Sequence, residues 1–267
     1  MAPTHAVPAP PTSTDSGPLL VVVAMREEAE PIRARLTAPG DPAEGDPQEI
    51  ETPFAQVQAV RGELAGAPTV LLTTGIGIAA ASAAATWGIL AHRPRAVIAA
   101  GSCGGLASDI EVGTLVVGET FAYSIADATA FGYAPGQVPG QPERFTADVD
   151  WADRAEAAAR AASDSATDTA GLPSVGPHVR RGLMLSGDAF VTAPLAQPMR
   201  ERFPQALTAD METTATAQIA AGLGVPMVAL RAVSDLCGPA AGQQFHLELD
   251  VVAERSAQAV EELARGL

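Results

Sequence analysis

Aromatic side chains make up only 4% of this 267-residue chain, and cysteine occurs just twice, at Cys103 and Cys237. Two cysteines so far apart exclude a disulfide framework and fit no metal-ligand spacing, so reduced thiols in a cytoplasmic protein are the expectation. Histidine is equally thin: His5, His92, His178 and His246 stand isolated, and no metal is expected. Positive charge is short as well. The 16 basic residues face 31 acidic ones, leaving a formal charge of -15, and they are scattered rather than striped. That balance argues against nucleic acid or an anionic membrane surface as a partner. No apolar run approaches the roughly 18 residues a membrane span needs. The opening "MAPTHAVPAPPTSTDSGP" has neither the basic start nor the apolar middle of a signal peptide. Residues 1–17 are therefore expected to be a disordered Pro-rich tail ahead of one domain over residues 18–267.

What the chain does have is alternation. "LLVVVAM" is a short, valine-rich run of the buried-strand type, and the helical pattern "REEAEPIRARL" follows at once. "PTVLLTTG" leads into "IGIAAASAAATWGILAHR", "RAVIAAG" into a Gly-rich turn "SCGGL", and "VPMVALRAVSD" precedes a final helix near "LDVVAERSAQAVEELARGL". Continuous apolar strands with helices between them predict an α/β fold with a mainly parallel sheet covered on both faces. Two polar stretches, residues 37–52 and 163–177, read as surface loops. Between them the scarce aromatics gather, Phe121, Tyr123, Phe131, Tyr133 and Phe145, as a pocket wall, an interface or a patch under a long loop.

Ligands of open α/β sheets bind at the carboxyl ends of the parallel strands. Acids converge there: Glu27 and Glu28 after the first strand, Asp188 after "GLMLS", Glu212 after "ALTAD", and Asp235 at the end of "MVALRAVSD". Each has a plainer reading, since an acid in a first helical turn favours the helix dipole and an aspartate caps turns. The Gly-rich "TGIGIAAAS" is a partial dinucleotide fingerprint whose plainer role is a tight turn at Gly75 and Gly77. Ser186 lacks a nucleophile elbow, and Cys103 reads as a small buried filler. Acid–base chemistry by carboxylates remains, with no cofactor.

The strings "VVVAMREEAEPI", "TTGIGIAAASAAAT", "AAGSCGGL", "ADATAFGYAPGQVPG", "SGDAFV", "ADMETTATAQIA" and "LRAVSD" resemble, in order and spacing, the 5'-methylthioadenosine/S-adenosylhomocysteine nucleosidases of the nucleoside phosphorylase/hydrolase superfamily. The resemblance spans roughly residues 19–265 and implies a single-domain three-layer α/β/α sandwich with a mostly parallel, mixed central sheet, a homodimer, and hydrolysis of adenine nucleoside thioethers. By that resemblance Glu28 is the base acting on water, with Ser102 and Arg231 near it, and Asp235, after Ser234, is the acid that protonates adenine N7. Phe190 matches the ring stacked on the base and Val191 the residue whose backbone reads its edge. Met211 and Glu212 match the ribose pair, Glu212 taking both hydroxyls. Phe131, Tyr133 and Pro139 match a segment of the 5'-alkylthio pocket, partly across the dimer interface. Arg26 and Asp210 depart from the acid and the glutamate often found there, at positions given no part in the chemistry. "YSIAD" replaces a more usual "YHDAD", and "LCGPAAGQQFH" makes a longer Gly/Pro-rich stretch.

Three rivals follow. A phosphorylase of the same fold would need a cationic cradle, for which Arg26 and Arg61 are the candidates. A nucleosidase for another purine nucleoside, such as futalosine, would keep the acid and the ribose site. A dinucleotide-binding module would use Gly75 and Gly77.

Overall fold

A computed structural model describes residues 16–40, 46–165 and 178–267. The expected tail therefore lies outside the described residues except for its last two positions, as do most of the second polar loop and the middle of the first. Gly17 already packs against the backbone of Arg93–Arg95, where an added Cβ would meet Arg93 O at 2.4 Å.

In chain order the elements are β1 (Leu19–Val23), α1 (Arg26–Arg33), β2 (Leu36–Thr37), β3 (Gln48–Ile50), β4 (Gln58–Leu64), β5 (Ala67–Thr73), α2 (Ile78–His92), β6 (Ala96–Gly105) and β7 (Leu115–Tyr123). A 3-10 turn (Thr129–Phe131), β8 (Phe145–Thr146), α3 (Val149–Ser165), β9 (Val179–Ser186), α4 (Ala193–Arg202), β10 (Ala206–Asp210), α5 (Thr213–Leu223), β11 (Met227–Asp235) and α6 (Ala241–Arg265) follow. The sheet is mixed, in the order β10-β9-β7-β11-β6-β1-β5-β4-β2. Parallel pairing joins β5, β1, β6 and β11, and again β7, β9 and β10, while β7 runs antiparallel to β11. All five residues of β1 and all nine of β11 are buried, as a strand covered on both faces requires. The covering helices form two groups, α1 with α3 and α6, and α2 with α5.

Three features differ from the sequence expectation. "GSCGG" is no turn: β6 runs through it to Gly105, paired with Arg231–Asp235 of β11, because the glycines let other groups press on the strand. A Cβ on Gly101 would lie 2.5 Å from Glu28 Oε1, and one on Gly104 would lie 2.6 Å from Cys237 Sγ. In addition β10 folds back onto β6 (Thr208 with Gly105, Ala209 with Gly104), so β6, β11, β7, β9 and β10 close a ring at one end of the sheet. The last helix also begins earlier than its pattern suggests, at Ala241, shortening the Gly/Pro-rich stretch to a turn whose Leu236 N–H donates to the Gln244 side chain (3.2 Å).

α6 is held along α1 by Arg35. Its Nε donates to Glu261 Oε2 (3.0 Å), its guanidinium also pairs with Glu254, and only 19% of the side chain is exposed. Arg35→Ala is expected to lower stability by about 1–3 kcal/mol, beyond the value of an exposed pair, because it strands two partly buried carboxylates. Urea unfolding of the two proteins measures the difference.

Candidate active site

Glu28 stands where β1 gives way to α1. Met25, extended at φ -123°, is the first flanking residue of the helix, and the Glu28 side chain three residues on turns back to it. Its Oε2 accepts from the N–H groups of Ala24 (2.9 Å) and Met25 (3.1 Å), satisfying donors that the helix start leaves free. Its Oε1 accepts from the N–H and the hydroxyl of Ser102, both at 2.7 Å. These four donors fill the lone pairs of a carboxylate that is only 1% exposed. Three of the donors are backbone, and only the Ser102 hydroxyl can turn away.

Glu212 closes β10 and precedes α5. Its Oε1 accepts from Gly77 N–H (2.9 Å), and its Oε2 lies 3.5 Å from Arg231 Nη2. Burial raises its pKa to about 7, against the pull of Arg231 and with a further push from Asp210. Arg231, on β11, has only 2% of its side chain exposed; its Nη1 donates to Ser102 O (2.7 Å), and its Nε is 3.8 Å from Asp210 Oδ2.

Asp235 ends β11, also 2% exposed. Burial raises its pKa, opposed by the Cys237 N–H on Oδ1 (2.9 Å) and by Ser234. Ser234 Oγ lies 3.0 Å from Asp235 Oδ2 and 3.2 Å from Cys103 O. One hydroxyl proton serves one of these acceptors at a time. With Ser234 donating to Cys103, a proton on Asp235 Oδ2 can point at Ser234 Oγ, so the surroundings accept the neutral acid.

These groups line one cavity of about 250 Å³, together with Ala24, Met25, Ile76, Cys103, Phe190, Val191, Met211 and Phe245. Nine sequence-named residues thus come together: Glu28, Ser102, Phe190, Val191, Met211, Glu212, Arg231, Ser234 and Asp235. Phe131, Tyr133 and Pro139 are not among its lining; Phe131 is 84% exposed. The aromatic group divides, with Phe121 and Phe145 in the core and Tyr123 donating its hydroxyl to Gln218 (2.6 Å). Glu27 is exposed, and Asp188 accepts from Ile78 N–H (2.7 Å) at the start of α2.

Sequence reasoning missed two contributors. Phe245, brought in by the early start of α6, meets Phe190 edge to face at 5.7 Å. Asp210 is the second: its Oδ1 accepts from Ser186 Oγ and from the N–H groups of Glu212 and Thr213, at 2.8, 2.9 and 2.8 Å. An aspartate two and three residues ahead of a helix start is a recognisable capping signal, but its bond to Ser186 is not local.

Among the described residues, the groups named for an anion receptor are already engaged or lie away from the cavity. Gly75 and Gly77 make a tight turn at φ 84° and 104°, yet the amides of Gly77 and Ile78 are taken by Glu212 and Asp188. Arg26 is exposed on α1 and Arg61 lies beside His92 (3.4 Å); neither lines the cavity. Arg231, the one cation among the described residues that line it, already faces Glu212 and Asp210.

The family model for the phosphorylase superfamily matches residues 18–266. A curated 5'-methylthioadenosine/S-adenosylhomocysteine nucleosidase of Geobacillus kaustophilus is 36% identical over 241 residues, covering 90% of this chain and 93% of the relative. The crystal structure of the Neisseria meningitidis nucleosidase of that name, in complex with methylthio-immucillin-A, superimposes with a TM-score of 0.82 at 34% identity over 94% of this chain and all of the other. That from Colwellia psychrerythraea, in complex with adenine, gives 0.80 at 28% identity over 94% and 95%. The chain belongs to the phosphorylase superfamily and, within it, to the 5'-methylthioadenosine/S-adenosylhomocysteine nucleosidases.

Glu212 has a folded-state pKa above its ordinary value of 4.5, so the folded protein holds a proton that the unfolded chain releases as pH rises from 4.5 towards about 7. Folding therefore loses stability across that window. Glu212→Gln removes this titration, and thermal melts are expected to fall less steeply with pH in the variant than in wild type.

Proposed function

We propose that this chain hydrolyses the N-glycosidic bond of 5'-methylthioadenosine and S-adenosylhomocysteine, releasing adenine and the corresponding thioribose. The observation that carries the reading is the single cavity in which Glu28, Glu212 and Asp235, three buried carboxylates from three strand ends, stand in three different surroundings. Nucleosidases of this name that are like the chain over most of its length support the choice of substrate.

Each surrounding suits a different step. Adenine leaves poorly as an anion, so a neutral acid must protonate N7 as the N9–C1' bond breaks, and Asp235 has the raised pKa and the hydroxyl neighbour for it. The sugar then carries oxocarbenium character, which the Glu212 carboxylate offsets while it accepts from the ribose hydroxyls. Water attacks C1' and loses a proton to Glu28. Because the backbone donors on Glu28 cannot move, the Ser102 hydroxyl is the one that swings away and opens a lone pair for that water. Phe190, supported by Phe245, covers the base, the Val191 backbone reads its edge, and Met211 packs against the sugar.

The unit that carries this activity is residues 18–267, with residues 1–17 as an appendage. It acts as a homodimer. Phe131 and the neighbouring Ile125, 84% and 63% exposed, offer an apolar surface for a second copy. On that arrangement Phe131, Tyr133 and Pro139 complete the partner's 5'-alkylthio pocket. The setting is the cytoplasm, in nucleoside catabolism and methionine salvage, and two buried free thiols agree with it.

Adenine release from 5'-methylthioadenosine is expected to fall about 10²–10⁴-fold in Asp235→Asn and in Glu28→Gln, each still folded. Full turnover in either variant removes that residue from the chemistry, and a preference for a hypoxanthine nucleoside contradicts the substrate.

A further inference from the structure

Asp210 lies one residue before the proposed sugar-binding pair, and its two carboxylate oxygens stand in different surroundings. Its Oδ1 collects three donors: Ser186 Oγ at the end of β9, and the backbone N–H groups of Glu212 and Thr213. Ser186, fully buried, in turn accepts from Thr214 N–H at 2.8 Å, so β9, β10 and the first turn of α5 are tied at one point. The other oxygen, Oδ2, is buried with no hydrogen-bond partner, as is Arg231 Nε, and the two face each other at 3.8 Å. Asp210 thus grips Glu212 by its backbone and, through Arg231, faces the same guanidinium as the Glu212 side chain.

We infer that Asp210 is a positioning residue for the sugar clamp: it sets where the Glu212 carboxylate stands and holds Arg231 beside it. The inference rests on the nucleosidase reading in one respect, that Glu212 meets the ribose hydroxyls. The plainer role is a helix cap, in which Oδ1 only satisfies the free N–H groups at the start of α5. The two roles separate in a measurement. A cap acts on stability and treats all substrates alike. A positioning residue acts on the contact between Glu212 and the sugar, so its loss harms most the substrates that carry both hydroxyls Glu212 would accept from.

The test uses the full chain and steady-state kinetics on 5'-methylthioadenosine and its 2'-deoxy analogue, reading the ratio of the two kcat/KM values. In Asp210→Ala that ratio is expected to fall roughly tenfold or more, the scale of one lost hydrogen bond to a charged group. Asp210→Asn can keep an acceptor oxygen on all three donors but loses the charge that faces Arg231, so its ratio is expected to fall between those of wild type and Asp210→Ala. Ser186→Ala removes the anchor behind Asp210 and is expected to lower the ratio in the same direction. A ratio unchanged in Asp210→Ala, with only a lower melting temperature, overturns the inference. Should that variant not fold, an unchanged ratio in Ser186→Ala does so. Wild type that releases no adenine from 5'-methylthioadenosine would sink the nucleosidase reading itself, whereas normal wild-type turnover with unchanged ratios removes Asp210 alone.

Discussion

Burying a guanidinium without a counter-charge costs several kcal/mol, and Arg231 stands in the middle of a strand that is buried along all nine of its residues. The groups around it answer that charge. Asp210 and Glu212 face it from β10, and Ser102 O receives its Nη1. Ser102 then passes the connection on, since its N–H and hydroxyl both hold Glu28. The two faces of the proposed reaction, water on one side and sugar on the other, are linked through one side chain on β11 and one residue of β6.

The charge balance of the cavity follows from this. Glu28, Asp210, Glu212 and Asp235 line it with a single cation among them. Four ionised carboxylates around one guanidinium would repel each other strongly in a low-dielectric site, so protons are the relief. Burial lifts Glu212 to about 7 and raises Asp235, whose Ser234 neighbour can receive a proton placed on Oδ2. A proton held on Asp235 is what a poor leaving group needs. The same balance disfavours phosphate, because the guanidinium and the amides of Gly77 and Ile78 are spent on the chain's own acids.

Much of this was legible in the sequence because strand ends are. Short buried runs mark β1, β10 and β11, and asking which polar residues follow or end them finds Glu28, Glu212 and Asp235 without a structure. What escaped depends on distant pairing. "GSCGG" has the composition of a turn, and only the close approach of Glu28 and Cys237 shows why a strand needs those glycines. The return of β10 to β6 leaves no periodic signal, although it brings Glu212 to the same end as Glu28. The resemblance assigns Asp210 no chemistry and its bond to Ser186, 24 residues away, has no local signal, while Phe245 belongs to a helix that starts where Gly and Pro suggest a loop.

The central claim is that the cavity spends Arg231, the one cation among its described lining residues, on its own carboxylates and so delivers water, not phosphate, to the sugar. The most direct measurement is phosphorus NMR of the wild-type reaction on 5'-methylthioadenosine in excess inorganic phosphate. Free thioribose and adenine with no new phosphorus resonance is the expected result. A sugar 1-phosphate signal growing in step with adenine would contradict it.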